Sequence, residues 1–228
     1  MKLLAIGAHP DDIEIFMFGL LYKCLTKGDS INTVIATDGA KGGVKFENLI
    51  ELRKQETVTA LKCFGTPFFL DLPDGSLGRS EKHFFALKSC IEKLQPDLIV
   101  THSKNDYHSD HRSLSEMVNN IACHYIPILY CDTMMGINFQ PDYYVDVTES
   151  FDEKKQAVRA HKTQNPMRFL SLIELMNSYR AAQCNGPLKS YAEGYKFVKS
   201  FPFSDISNLL PRSMEIRSFQ IDETNGFL

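Results

Sequence analysis

Two short segments of the sequence combine histidine with aspartate at spacings that suit a divalent metal ion. Together they contain three histidines and four aspartates: His9, Asp11, Asp12, Asp106, His108, Asp110 and His111. Imidazole and carboxylate are the usual ligands of zinc and related ions. Two histidines with one carboxylate leave a coordination position open for water, as in catalytic sites. Because a second carboxylate can accept a proton from that water, these residues predict a metal-dependent hydrolase.

A simpler interpretation of both segments is helix capping, because each precedes a run of apolar residues at helical spacing. A carboxylate satisfies free amide groups at a helix N-terminus, so Asp11 or Asp12 could cap one helix and Asp110 another. A cap needs one oxygen acceptor and no imidazole, however. His108 and His111 are three residues apart at a helix start, so both can face the same side. Capping alone therefore does not account for the combination.

The elements that position these segments alternate between strands and helices. Apolar runs predict strands at residues 2–8, 30–39, 67–72, 97–102, 126–131 and 142–147, and helical periodicity predicts helices at 12–27, 48–65, 80–95, 111–125, 151–163 and 167–182. Such alternation predicts an α/β fold with three layers, a Rossmann-like, mostly parallel sheet with helices on both faces. The carboxyl ends of parallel strands share one edge of the sheet, where ligands bind. We therefore expect the polar residues after the strands to meet there.

Length and composition limit the domain organisation and the class of function. The chain has 228 residues, 43% hydrophobic and 23% charged, which is typical of one globular domain covering 1–228. Residues 189–228 are an uncertain C-terminal extension: an edge strand, an oligomer arm or a partly disordered tail. The net charge of −3 and the lack of a basic run argue against nucleic acid as a partner. The sequence does not determine whether the chain forms a homo-oligomer.

The apolar segments and the cysteines bear on location. No apolar stretch reaches the roughly 20 residues of a membrane span. The first apolar run is too short for a signal peptide. The six cysteines are scattered without a CxxC pair, which favours reduced core thiols over disulfides when no export signal is present. We therefore expect a cytoplasmic protein with no membrane span.

The motifs also resemble those of a known family. AIGAHPDDIEI near the N-terminus and NDYHSDHR in the middle are similar to the paired signatures of the PIG-L/LmbE-like family of metal-dependent N-acetyl-sugar deacetylases. The similarity continues in order through ATDGAKGG, LRKQET, FLDLPDGSL, YYVDVT and KKQAVRAHKTQ, and covers roughly the first 165 residues. Because the two signatures occur together at this separation, the resemblance is specific.

The resemblance implies one divalent ion held by His9, Asp12 and His111, with zinc as the default and iron or manganese as substitutes. Asp11 corresponds to the general base of the family. A metal-bound water would attack the amide of an N-acetylglucosamine-like sugar or glycoside while Asp11 takes its proton, because a metal lowers the pKa of its water from 15.7 toward about 7. Acetate and a free amine are the implied products, and the expected partner is this small-molecule sugar.

The resemblance also implies roles for five further residues. His108 corresponds to a histidine that stabilises the oxyanion or acts as an acid, and Asp110 to a carboxylate that orients or charges that histidine. Arg53 and Asp74 correspond to positions near the sugar. Some members carry a tyrosine two residues before the non-ligand histidine, whereas here Tyr107 is one residue closer. From the resemblance we expect Arg53 and Asp74, and despite this shift also Tyr107, to bind the substrate.

Other interpretations are open at this point. The chain could be a nucleotide-binding α/β protein with Asp38 on a ribose, although strand one lacks GxGxxG and the sequence has no P-loop. Two histidines and a carboxylate also suit ferrous oxygenases, and metal sites hydrolyse other esters and phosphoesters. A sugar-binding relative without catalysis would not need Asp11. His102, His161 and Gln164 are assigned no role.

Overall fold

The computed structural model describes residues 1–43, 46–197, 210–211 and 213–214, and within them a seven-stranded sheet. The strands are β1 (Lys2–Gly7), β2 (Ser30–Thr37), β3 (Phe68–Leu72), β4 (Leu98–Thr101), β5 (Ile128–Cys131), β6 (Tyr143–Asp146) and β7 (Ala192–Phe197). Their order is β3-β2-β1-β4-β5-β7-β6. Neighbours from β3 to β5 pair in parallel, whereas β7 is antiparallel to β5 and β6. The predicted, mostly parallel sheet is confirmed.

Helices cover both faces of this sheet. They are α1 (Asp12–Phe16), α2 (Phe18–Thr26), α3 (Leu49–Ala60), α4 (Glu81–Leu94), α5 (Ser109–Ala122), α6 (Phe151–Arg159) and α7 (Pro166–Gln183). Strand β1 is buried on both sides: Leu3 and Ala5 join a hydrophobic cluster with α1, α2, α3, α6 and α7. Leu4 and Ile6 join a second cluster with α4 and α5. The three-layer α/β architecture is therefore also confirmed.

The segment after β1 differs from the single helix predicted for residues 12–27. The helix breaks at Met17, whose φ of −130° lies outside the helical range, so α1 and α2 are separate. A helix start leaves amide groups without partners inside the helix. The Glu193 carboxylate of β7 accepts hydrogen bonds from two of these amides, Gly19 N and Leu20 N, at 2.9 Å each. The last strand thus caps a helix near the start of the chain.

The Glu193 carboxylate is the centre of a buried polar network. Lys154 of α6 donates to its Oε1 at 2.7 Å, and the Tyr195 hydroxyl donates to its Oε2 at 2.6 Å. None of the three side chains is more than 2% exposed. Burial and the Glu193 charge raise the pKa of Tyr195 well above its usual range, so the hydroxyl stays a donor. The network ties β7 to both α2 and α6.

Strand β7 accounts for part of the uncertain segment 189–228. Residues 192–197 form an internal strand between β5 and β6, so this part is neither an edge strand nor a detached arm. An isolated β-bridge also joins Val145 of β6 to Ser213. Apart from 189–197, 210–211 and 213–214, the segment lies outside the described residues.

The six cysteines are free thiols. Cys24 and Cys131 lie in the core as expected, whereas Cys63 is exposed and the other three are half-buried. None of the helices in the described ranges has the length and apolar character needed to cross a membrane.

Candidate active site

The turn between β1 and α1 carries the first predicted segment, and Asp11 does not cap α1. Asp11 occupies the N-cap position in a left-handed conformation with a φ of 114°, and its side chain makes no capping hydrogen bond within the described residues. The Asp12 Oδ2 accepts a hydrogen bond from the His9 N–H at 2.6 Å. Both carboxylates are buried. Since a buried carboxylate needs compensating partners, capping does not explain why Asp11 is here.

The second predicted segment forms the start of α5. His108 is the N-cap residue, and its Nδ1 accepts a hydrogen bond from the Asp110 N–H at 3.3 Å. His111 lies one turn further along, with its ring centroid 4.7 Å from that of His108. The two rings therefore face the same side of α5, as their spacing predicts. His111 is buried, whereas His108 is half-buried.

Asp12 lies close to both of the imidazoles that were predicted to bind a metal with it. The Asp12 carboxylate stands between two imidazoles, with its Oδ2 3.3 Å from His9 Nδ1 and its Oδ1 3.3 Å from His111 Nε2. The centroids of these two rings are 5.3 Å apart. One oxygen-bearing and two nitrogen-bearing side chains thus meet beyond the carboxyl ends of β1 and β4, where ligands bind in parallel sheets.

His9 and His111 each have a carboxylate beside the ring nitrogen that does not face Asp12. His9 Nε2 is 3.3 Å from both Asp74 Oδ1 and Asp110 Oδ2, and His111 Nδ1 is 3.1 Å from Asp106 Oδ2. Histidines that bind metals usually donate their other ring N–H to a carboxylate or carbonyl, which fixes the orientation of the ring. Each ring can therefore turn its remaining nitrogen toward a cation.

The electrostatics of this cluster suit a cation as well. Burial lowers the pKa of His9, but hydrogen bonds to three aspartates outweigh burial and raise that pKa to about 12. Burial also lowers the pKa of His111, and the charge of Asp12 helps to raise it to about 9. The carboxylates thus draw positive charge onto both rings, and a divalent cation would supply the same charge. The residues present fit a metal with nitrogen and oxygen ligands.

His102, to which the sequence assigned no role, belongs to the same cluster. Its ring is fully buried and stacks on that of His111 with centroids 3.7 Å apart. Its Nε2 lies 3.1 Å from the Ala8 N, from which it accepts a hydrogen bond, and 3.1 Å from Asp12 Oδ2. Burial and the His111 charge lower the pKa of His102 to about 4, so the ring stays neutral. Asp12, His102 and His111 each offer a ligand atom within 4.8 Å of the others, so His102 is a further candidate ligand that the sequence did not assign.

Asp11 precedes the predicted ligand Asp12, and Arg53 holds it. The Arg53 Nη2 donates to Asp11 Oδ2 at 3.3 Å and to the Pro10 carbonyl at 2.5 Å, and its Nη1 donates to the Gly39 carbonyl at 2.8 Å. Burial raises the pKa of Asp11 to about 6, although the Arg53 charge lowers it. Arg53 lines the pocket as expected of a substrate-binding residue, yet it is buried and most of its contacts are with the turn that carries Asp11.

The Asp110 carboxylate faces His9 and the loop after β3, although its charge also acts to raise the pKa of His108. Its Oδ2 accepts a hydrogen bond from Gly75 N at 2.7 Å and faces His9, and its Oδ1 accepts one from Leu77 N at 3.2 Å. Burial and nearby charged imidazoles lower the pKa of His108. Asp110 lies in the first turn of α5 against the loop after β3, so its carboxylate holds that loop and His9.

Asp38, which one alternative placed on a ribose, instead holds two loops together. Its Oδ1 accepts hydrogen bonds from Ala40 N at 3.0 Å and from Asp74 N at 3.2 Å. The Asp74 Oδ2 in turn accepts one from Lys41 N at 2.8 Å. These bonds fix the loops after β2 and β3 and leave Asp74 beside His9. A nucleotide-binding role for Asp38 finds no support in this arrangement.

An open pocket lies over the cluster. All the predicted site residues except Asp110 line it, together with seven that the sequence did not assign: Ile15, Phe16, Lys41, Gly42, Met134, Gln164 and Phe169. Tyr107 is 51% exposed at this pocket and is free to meet a ligand. Gln164 ends the KKQAVRAHKTQ segment, which resembles the family, but the sequence assigned it no role. Met134 and Phe169 lie far from either motif and no local pattern marks them, so sequence reasoning missed them.

Comparison with known proteins identifies the family. Residues 4–122, which include both motif segments, match the PIG-L family, described as GlcNAc-PI de-N-acetylase. The chain is 26% identical to the diacetylchitobiose deacetylase of Thermococcus kodakarensis, over 86% of this chain and 83% of that protein. It is 30% identical to the probable N-acetyl-alpha-D-glucosaminyl L-malate deacetylase 2 of Bacillus subtilis, over 77% of this chain and 88% of that protein.

A solved structure shows the same fold on a protein of another activity. The 4-carboxy-2-hydroxymuconate hydratase from Pseudomonas putida KT2440 has a TM-score of 0.73 and 18% identity, and the match covers 95% of this chain and 99% of that one. Because one fold hosts many functions, this likeness concerns architecture alone. The family assignment therefore depends on the sequence match and on the motif residues within it. This chain belongs to the PIG-L family of de-N-acetylases, hydrolases that act on an amide bond.

Proposed function

We propose that this chain is a zinc-dependent hydrolase that removes the acetyl group from an N-acetylglucosamine-like sugar or glycoside. The products are acetate and a free amine. The observation that carries the proposal is the Asp11 carboxylate lying beside an Asp12 carboxylate that is flanked by His9 and His111. The PIG-L match and the deacetylase relatives support the same reaction class.

His9, Asp12 and His111 would hold one divalent ion. Zinc is the default for two imidazoles and a carboxylate, and iron or manganese would suit the same ligands. When bound, such an ion polarises the substrate carbonyl and lowers the pKa of a water molecule toward neutrality. Asp74, Asp106 and Asp110 keep the two imidazoles oriented by facing their other nitrogens.

Asp11 acts as the general base in this proposal. It accepts a proton from water as the water oxygen bonds to the acetamide carbon. When the C–N bond breaks, the same proton passes to the leaving amine, so the residue returns to its starting state. Arg53 fixes the Asp11 carboxylate and the turn that carries it, through its bonds to Asp11 Oδ2 and the Pro10 carbonyl.

His108 stabilises the oxygen that gains negative charge during the attack. Because its Nδ1 accepts the Asp110 N–H, the neutral ring carries its proton on Nε2. That N–H can donate a hydrogen bond to the developing oxyanion from a preorganised position. This role needs no protonated imidazole, which agrees with the lowered pKa of His108.

Asp74, Arg53 and Tyr107 would contact the sugar. All three line the pocket beside the ligands. The Tyr107 ring is half exposed and can cover an apolar face of the sugar.

Two aspartate variants test the division of roles. Asp11→Asn should keep the bound zinc and lose about 10²–10⁴-fold in turnover, since that is the usual contribution of a general base. Asp12→Ala should lose zinc affinity. The measurements are acetate and free amine released from N-acetylglucosamine glycosides, together with the zinc content of each purified variant.

Asp152→Asn is the matched control, because Asp152 is an exposed carboxylate on α6, paired with Lys155. It should retain both zinc and activity. Equal loss of zinc in Asp11→Asn and Asp12→Ala would contradict the separate roles of base and ligand. Hydrolysis of phosphoesters without acetate release from any N-acetyl sugar would contradict the proposed reaction.

A further inference from the structure

The residues that line the pocket are of two kinds. Hydrogen-bond donors and acceptors are offered by Lys41, Arg53, Asp74 and Gln164. Apolar surface is offered by Tyr107, Met134 and Phe169, and we call these three residues the apolar wall. A substrate whose acetamide lies at Asp11 must have the rest of its structure among these residues.

The apolar wall is assembled from three separate parts of the chain. Tyr107 lies in the loop after β4, Met134 in the 3-10 turn after β5, and Phe169 in the first turn of α7. Tyr107 is 51% exposed, and Met134 and Phe169 are half-buried, so all three keep surface to offer. A ligand that covers apolar surface at an open site removes that surface from water, and this stabilises the complex.

Two further methionines close in sequence to the wall residues are also exposed. Met135, the neighbour of Met134, is 45% exposed, and Met167, two residues before Phe169, is 68% exposed. Methionine side chains are flexible and polarisable, so they adapt to apolar groups of different shapes. Met134 of the wall can adapt in this way to an apolar group larger than a methyl.

We propose that the apolar wall binds an aryl or alkyl group attached to the sugar, an inference that rests on the proposed deacetylase function. A second sugar ring suits this wall less well. Its hydroxyls would need hydrogen-bond partners to replace water, and of the three side chains in the wall only that of Tyr107 carries a hydroxyl. An apolar group has no such requirement and gains from contact with two aromatic rings and a thioether.

The test compares four substrates of the wild-type protein loaded with zinc: the methyl, phenyl and hexyl glycosides of N-acetylglucosamine, and N,N′-diacetylchitobiose. Acetate release gives kcat/KM for each. We expect the phenyl and hexyl glycosides to exceed the methyl glycoside by at least about tenfold, the discrimination that one or two apolar groups give in a hydrophobic site. We expect no such advantage for diacetylchitobiose.

Substitutions in the apolar wall test whether its residues cause the preference for the phenyl over the methyl glycoside. Phe169→Ala and Met134→Ala should each lower the ratio of phenyl to methyl kcat/KM toward one. Phe85→Ala is the matched control, because Phe85 is a 59% exposed phenylalanine on α4 outside the pocket, and it should leave that ratio unchanged. Thermal unfolding of each variant verifies that it is folded.

Three results would overturn the inference. The first is an equal kcat/KM for methyl and phenyl glycosides in the wild type. The second is an equal fold-loss on both glycosides in Phe169→Ala, which would assign the wall to the sugar itself. The third is a preference for diacetylchitobiose over the phenyl glycoside. Acetate release from none of the four substrates would instead overturn the proposed function, and the inference with it.

Discussion

Glu193→Gln removes one charge from an enclosed network, and the contacts indicate how much stability is lost. The wild-type carboxylate accepts hydrogen bonds from Gly19 N, Leu20 N, Lys154 Nζ and the Tyr195 hydroxyl. Glutamine offers one acceptor oxygen and an NH₂, so at least one former donor meets another donor. Lys154 also stays buried without a counter-charge, and breaking a buried pair in this way costs about 3–5 kcal/mol. At roughly 2–4 °C per kcal/mol, we expect Tm to fall by about 6–20 °C.

The double variant Lys154→Met/Glu193→Gln tests whether the unpaired charge of Lys154 causes this loss of stability. Replacing a buried ion pair with apolar groups of similar volume is often neutral, so the double variant should recover at least half of the lost stability. Lys155→Met/Asp152→Asn is the control, since this pair lies at the surface of the same helix, where water screens its charges, and its loss should lower Tm far less. Thermal and urea unfolding measure all variants. A double variant as unstable as the sum of its two single changes would refute the reasoning.

Two other predictions concern buried contacts elsewhere. His161 Nε2 lies 2.8 Å from Glu14 Oε1. Burial lowers the pKa of His161, but the charge and hydrogen bond of Glu14, together with the charges of Asp11 and Glu56, outweigh burial and raise the folded pKa above the unfolded value of about 6.5. The stabilisation from this pair is present below that unfolded pKa and is lost as the pH rises through the folded pKa. The difference in unfolding free energy between wild type and His161→Gln should therefore shrink from about pH 6 upward, and a urea titration series that shows it growing would contradict this. In Gly19→Ala the new methyl group would overlap the Val147 side chain, so we expect a loss of about 1–3 kcal/mol in urea unfolding. Wild-type stability would show that Val147 moves aside at little cost.

Most of the sheet can be predicted from sequence because its central strands are short apolar runs buried on both faces, as Leu3 to Ile6 are. Strand β7 cannot be predicted in this way. Its sequence AEGYKF interleaves Glu193, Gly194 and Lys196 with apolar residues, and its partners β5 and β6 lie far away in sequence. The break at Met17 is equally hidden, because the capping carboxylate comes from that same distant strand.

The candidate site also has one part that can be predicted from the sequence and another that cannot. His9, Asp11 and Asp12 are neighbours in one turn, and His108 and His111 share one helix start, so local spacing suffices to predict that each group faces one side. The contacts between the groups depend on which strands and loops are adjacent. His102 reaches Asp12 because β4 pairs with β1, and Arg53 reaches Asp11 from α3. No short-range pattern contains that information.

The place of β7 in the sheet has a consequence for the order of events during synthesis. Strand β7 lies between β5 and β6 although it is translated after both. Until residues 192–197 emerge, β5 has an open edge and β6 has no neighbour in the sheet. Open edges are sites where strands of other chains can pair, and non-local pairing is slow to form. Both motif segments leave the ribosome long before this point. The translation of β7, and not that of the loops that carry the motifs, therefore sets the earliest time at which the sheet is complete.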